Sequence, residues 1–150
     1  MKTWETFAAS APDLANVVRE RLAGRISYLA TIRADGSPRV HPVVPHIARG
    51  RLFVYMAPDS PKVRDLRCDP RYAMHCSVED ISGGNGEVSL RGQALIIEDS
   101  HERAALFEAA TASGFHPEND YVLFELNIES VLSIAYANGL PIRQSWGIGI

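Results

Sequence analysis

The run ISYLATIRADGSPRVHPVVPHI, residues 26–47, decides how this chain folds. Its first part, 26–32, is rich in β-branched and aromatic residues and reads as a strand. Asp35-Gly36 is a tight-turn signal, and 39–47 reads as a second strand returning beside the first. Pro42 and Pro45 remove two backbone donors from that second run, so it must lie at an edge or carry a bulge. An edge with irregular backbone is also a place where a planar ligand can lie against main-chain groups.

On the C-terminal side, Arg49-Gly50 turns into a third strand over 52–56, which completes a meander of three antiparallel strands. A short helix over 60–66 follows, closed by Asp69-Pro70, then a fourth strand over 72–78. The Gly83-Gly84-Asn85-Gly86 stretch is a hairpin loop leading into a long fifth strand, 87–98, with a bend expected at Gly92. Residues 100–113 form an amphipathic helix capped by Ser100, and 121–136 a sixth strand, broken near Glu129-Ser130. The glycine-rich tail from 138 reads as irregular. On the N-terminal side, Leu14, Val17, Val18 and Leu22 recur at helical spacing over 12–23, with Ser10 as cap and Gly24 as stop. Six short strands with hairpin turns and only local helices predict a mainly β fold with flanking helices. The architecture is a six-stranded antiparallel split barrel in one domain over 1–150, not a βαβ sheet.

Composition narrows the function. The chain has 150 residues, enough for a full core, and its net charge of −3 argues against a general nucleic-acid binder. Two cysteines, Cys68 and Cys76, do not make a disulfide scaffold, and they lack the CxxC partners of a zinc site. The five histidines, His41, His46, His75, His101 and His116, have no zinc-motif spacing, so no metal site is expected. With no signal-like apolar start and no run of about 18 apolar residues, the expectation is a cytoplasmic protein without membrane association.

The stretch most suggestive of chemistry is Pro58-Asp59-Ser60-Pro61-Lys62-Val63-Arg64-Asp65-Leu66. Ser60 is a good helix cap and Pro61 suits the first helical position. Lys62, one of only two lysines with Lys2, then sits where the helix dipole is already positive. An anion would use both, held by backbone donors, the Ser60 hydroxyl and the Lys62 ammonium. The alternative is an ordinary surface helix with Lys62 in solvent. Arg39 could reach the same anion from the strand side with its planar fork, or be a solvated turn residue. Trp146 is a cofactor-edge or interface aromatic, or else a plug on the barrel end. No Ser-His-Asp or Cys-His set stands out, and no catalytic residue is assigned.

The order of these signals resembles the pyridoxamine 5′-phosphate oxidase-like superfamily of flavin-binding split barrels. The resemblance runs from about 24 to 134 through residues 28–43, 50–54, Ser60-Pro61-Lys62, 65–73 and 86–94. It implies a homodimer with two FMN sites at the subunit interface. In that arrangement Arg39 and Lys62 contact the cofactor phosphate with Ser60 beside them. Val40, His41 and Pro42 lie along the flavin ring, and Tyr55 and Met56 end the strand facing the phosphate. Glu87 falls where family oxidases often carry Gln, and Arg143 and Trp146 approach the partner's site. The Arg-Leu-His-x-Arg element by which the oxidase proper holds its substrate is not reproduced in 141–146, so vitamin B6 synthesis is not expected. The implied activity is hydride transfer to or from an unidentified small molecule by an FMN-dependent oxidoreductase. A deazaflavin coenzyme is the alternative, its acidic tail asking for a basic groove such as Arg33, Arg64, Arg67 and Arg71 could line. A non-catalytic stress protein holding flavin or haem is the other alternative, haem requiring an axial ligand such as His41, His46 or His75.

Overall fold

A computed structural model describes residues 1–149. Two helices, α1 (Trp4–Ser10) and α2 (Pro12–Leu22), precede a β1 (Ser27–Ile32) and β2 (Pro38–Val43) hairpin. Then come β3 (His46–Ala48), β4 (Arg51–Met56), α3 (Pro61–Cys68), β5 (Arg71–Cys76) and β6 (Glu87–Ile96). The chain ends with α4 (Ser100–Ala112), β7 (Val122–Ala137) and β8 (Leu140–Gly147).

All strand pairs are antiparallel, in the order β2-β1-β5-β6-β7-β4-β3, with β8 also paired to β7. The sheet is eight-stranded and does not close, in place of the six strands expected. The split falls along β7: its start pairs with β4 and its last residues with β8, both opposite β6. At the changeover the register shifts between Arg91 and Gly92, leaving Glu129 as the extra residue on β7. The expected bend at Gly92 and break near Glu129-Ser130 are therefore one bulge.

Burial explains the layers. Leu14, Ala15, Val18 and Leu22 of α2 and Trp4 and Phe7 of α1 cover a core of Leu29, Leu52, Val54, Met74, Val88, Leu126 and Ile128. A second cluster, Phe53, Ile97, Leu106, Ala110 and Leu123, lies under α4. Strand β4 feeds both, Leu52 and Val54 to one and Phe53 to the other, so it reads as a continuous apolar run.

Several local expectations are corrected. The run 39–47 breaks at Val44-Pro45 into two strands at opposite ends of the sheet, so the meander stops after β2 and β4 pairs with β3 and β7 instead. Both pieces are edge strands, as the prolines require. Ser10 closes α1, its hydroxyl donating to the Phe7 carbonyl at 3.0 Å, and α2 has no side-chain cap. Asp99, not Ser100, caps α4 by accepting from the Glu102 amide at 2.9 Å. The tail is a strand, turned at Asn138-Gly139.

Candidate functional site

The site grows from the start of α3. Ser60 caps it, its Oγ accepting from the Lys62 amide at 3.3 Å, with Pro61 at the first helical position. Helices α1, α2 and α4 each carry an acidic side chain in the first turn, but α3 has none and presents Lys62 there. The ammonium of Lys62 forms no ion pair among the described residues. Partial burial pushes its pKa down, and the nearby Arg39 charge adds to that. A half-desolvated cation beside a positive helix end is a poor arrangement in isolation and a good one around an anion.

Arg39 reaches this corner from β2. Its Nε donates to Asp65 Oδ2 at 2.7 Å, and Thr31 Oγ1 donates to the same oxygen at 2.7 Å. Asp65 is only 5% exposed. Burial alone would raise its pKa, but the bonds from Arg39 and Thr31 outweigh burial and hold it below the ordinary 3.8. The carboxylate therefore fixes the guanidinium by one nitrogen and leaves its fork free of other protein partners among the described residues. His41 follows two residues on, on the same side of β2. Partial burial and the charges of Lys62 and Arg39 lower its pKa, so the imidazole is neutral at pH 7.

Beside the corner opens a cleft of about 350 Å³, lined by Ile26, Val43, Tyr55, Phe115, Ser60 and Lys62 among others. Its walls are apolar and aromatic with a few polar groups at one end, the usual make-up of a small-molecule site. Tyr55 stacks on Phe115 with ring centroids 6.0 Å apart, and His46 packs against Phe115 at 4.8 Å and Phe53 at 5.4 Å. Among the described residues the buried His46 Nε2 and Tyr55 hydroxyl have no hydrogen-bond partner.

Of the sequence candidates, Pro42, Tyr55, Met56, Ser60 and Lys62 line this cleft, and Arg39 and His41 adjoin it. Val40 points to the opposite face of β2 and is 62% exposed. Glu87 lies on β6 beside His75, 3.6 Å between Oε2 and Nε2, away from these residues. Trp146 is held on β8 against α1, its Nε1 donating to Ser10 Oγ at 2.8 Å and its ring 5.0 Å from Phe7. Two contributors escaped the sequence reading. Asp65 could have been found, since a carboxylate between Val63 and Leu66 on a helix is carried inward and needs a cation. Phe115, in the connection after α4, offered no signal.

Among the described residues no cluster of His, Cys, Asp or Glu could hold a metal ion, and no helix is long and apolar enough to cross a membrane.

The family model for pyridoxamine 5′-phosphate oxidase matches residues 15–135. No curated protein matches the sequence. Among solved structures, a heme binding protein from Mycobacterium smegmatis is 21% identical with a TM-score of 0.65, covering 85% of this chain and 54% of its own. This chain thus spans about half of that protein. The General Stress Protein 26 of Bacillus anthracis is 19% identical with a TM-score of 0.62, over 87% of this chain and 98% of its own. PhzG of Burkholderia lata, solved with tetrahydrophenazine-1-carboxylic acid, is 16% identical with a TM-score of 0.64, over 97% and 88%.

Proposed function

Because the chain belongs to the pyridoxamine 5′-phosphate oxidase family, we propose that it is an FMN-binding oxidoreductase moving hydride to or from a small molecule. The observation that carries this reading is the anion corner at the mouth of an apolar cleft. Among the described residues Lys62 pairs with no carboxylate and the Arg39 fork has no protein partner beyond the Nε bond to Asp65, and both adjoin the capped start of α3. The donor set fits a phosphate monoester: the Ser60 hydroxyl and two cations at the positive start of α3. The aromatic and aliphatic walls fit a flat ring.

When bound, the isoalloxazine supplies the redox chemistry. The chain's own part is placement. Lys62 and Arg39 neutralise the phosphate, Asp65 and Thr31 hold Arg39 in line, and Tyr55 and Phe115 exclude water from the ring side.

The same reading includes a second copy. The antiparallel register sets Tyr28 opposite Pro42 and His75, and Ala30 opposite Val40 and Ala73. Tyr28 is 45% exposed and Ile26, at the cleft mouth, 55%. An uncovered apolar sheet face bordering an open cleft supports a homodimer whose partner closes the site.

The test is a visible spectrum and a flavin titration of the purified protein. Flavin bands and a Lys62→Ala variant binding FMN roughly tenfold or more weaker are expected, since a charge-assisted hydrogen bond is worth about 1.5–3 kcal/mol. A Soret band, or Lys62→Ala with unchanged FMN affinity, would sink the proposal.

A further inference from the structure

Tyr55 belongs to two cavities. It walls the cleft beside the phosphate corner, and it also walls a second cavity of about 250 Å³ on the α4 side of the sheet. Register sets Tyr55 opposite Leu123, which packs with Leu106 and Ala110 of α4. The other walls are Arg103, Ala104 and Phe107 of α4, and Glu118 and Asn119 of the connection 113–121. Residues 103, 104 and 107 share one face of the helix, next to the stripe that carries Leu106 and Ala110 into the core. Phe107 is 40% exposed there, so the core does not account for its ring.

The polar groups of this cavity are uncommitted. The buried Tyr55 hydroxyl has no hydrogen-bond partner among the described residues, and such a group asks for one. Burial pushes its pKa up against the opposing charge of Arg103, so the phenol remains a donor at neutral pH. That charge acts on the hydroxyl from a residue lining the second cavity and not the first. Arg103 donates to the carbonyls of Ile97 at 3.2 Å and Tyr121 at 3.0 Å, which fixes its direction and leaves it further N–H groups. Its charge has no carboxylate partner among the described residues, and the Glu118 carboxylate has no cation. Opposite charges thus line one cavity without pairing with each other.

We propose that this cavity binds a small zwitterion with an apolar body, a free amino acid with an aliphatic or aromatic side chain. Its carboxylate accepts from the Tyr55 hydroxyl and meets the Arg103 guanidinium. The ammonium meets Glu118, and the side chain lies on Phe107. The volume falls below the roughly 300 Å³ at which sites for drug-sized ligands begin, which suits a ligand this small. The site is separate from the phosphate corner and stands or falls apart from the flavin reading.

Isothermal titration calorimetry of the full chain tests it with four probes. They are leucine, phenylalanine, isocaproate (leucine without its ammonium) and isoamylamine (leucine without its carboxylate). Leucine or phenylalanine binds roughly tenfold or more tightly than either singly charged probe, the weight of one charge-assisted contact. Glu118→Gln removes the advantage of leucine over isocaproate and leaves isocaproate itself within about twofold, as loss of an exposed charge far from the carboxylate end should. Tyr55→Phe, which keeps the ring, weakens leucine roughly fivefold or more and leaves isoamylamine unchanged. Thermal melts confirm that both variants are folded. No binding of either amino acid at millimolar concentration, or leucine binding that both folded variants leave unchanged, overturns the proposal. So does a singly charged probe that binds native protein as tightly as leucine.

Discussion

Arg39 points where it does because of Asp65, and the energetic weight of that pair lies on the buried partner. Removing the charge strands a guanidinium that is itself mostly covered and leaves the Thr31 hydroxyl facing an amide. Breaking a buried pair costs about 3–5 kcal/mol, and the partly exposed Arg39 keeps some hydration, so Asp65→Asn is expected to lower unfolding stability by about 2–4 kcal/mol. Urea denaturation measures it, and a loss under about 1 kcal/mol would mean that water replaces the pair. His46 gives a prediction in pH. Burial between Phe53 and Phe115 lowers its pKa below 6.5, so the unfolded chain takes up the proton before the folded one. Stability is then fully present above 6.5 and falls as pH drops below it, toward the lower folded value. Unfolding curves at neutral and mildly acidic pH should show this slope, and His46→Phe, which keeps a ring in the aromatic cage, should flatten it. Equal slopes in the two proteins would assign the pH dependence to other groups. Lys62 and Ser60 were legible because cap, proline and charge sit in consecutive positions. Asp65 was legible only through its place between Val63 and Leu66, and His46 was not legible, since its importance comes from burial that only packing creates.

The bulge between β6 and β7 separates two kinds of glycine. At Gly92 a Cβ would stand 1.8 Å from the Asn127 carbonyl oxygen, backbone against backbone with no flexible side chain to yield. Gly92→Ala must move β7, and a loss of at least about 3 kcal/mol is expected, beyond ordinary overpacking. Gly139 has nothing within 4 Å of such a Cβ but holds φ of +76° in the turn before β8. Gly139→Ala therefore carries only the left-handed backbone cost of about 1–2 kcal/mol. Thermal melts of the two variants should rank in that order; the reverse order would refute the steric account of the bulge. The same elements explain what could be read in advance. Strands β1, β4, β5 and β6 announce themselves by alternation or by a continuous apolar run, because at least one face is buried. Strand β8 is exposed along nearly its whole length, so it carries no such pattern. Its one signal was Asn138-Gly139, both with positive φ as a tight hairpin turn requires. Strand β3, three residues long, is too short for any period and was merged with β2 across Val44-Pro45.

Among the described residues no helix covers the outer face of β2, β1 and β5, and its exposed Tyr28 and Val40 are the kind of surface that a partner covers. A standard interface buries about 800 Å² per partner, and that face continues across β6 and the β7–β8 hairpin. Val40→Glu places a charge on the edge strand of that face without touching the phosphate corner, since Val40 points away from Arg39 and His41. Light scattering should give twice the chain mass for the native protein and the single mass for the variant. If the partner also closes the cleft, FMN affinity falls with the loss of the dimer, and it recovers as protein concentration is raised, because mass action restores the pairs. A direct contact role for Val40 would lower affinity by the same factor at every protein concentration. The concentration dependence therefore separates assembly from contact, and a native protein that stays monomeric while binding FMN tightly would show that one copy makes the whole site.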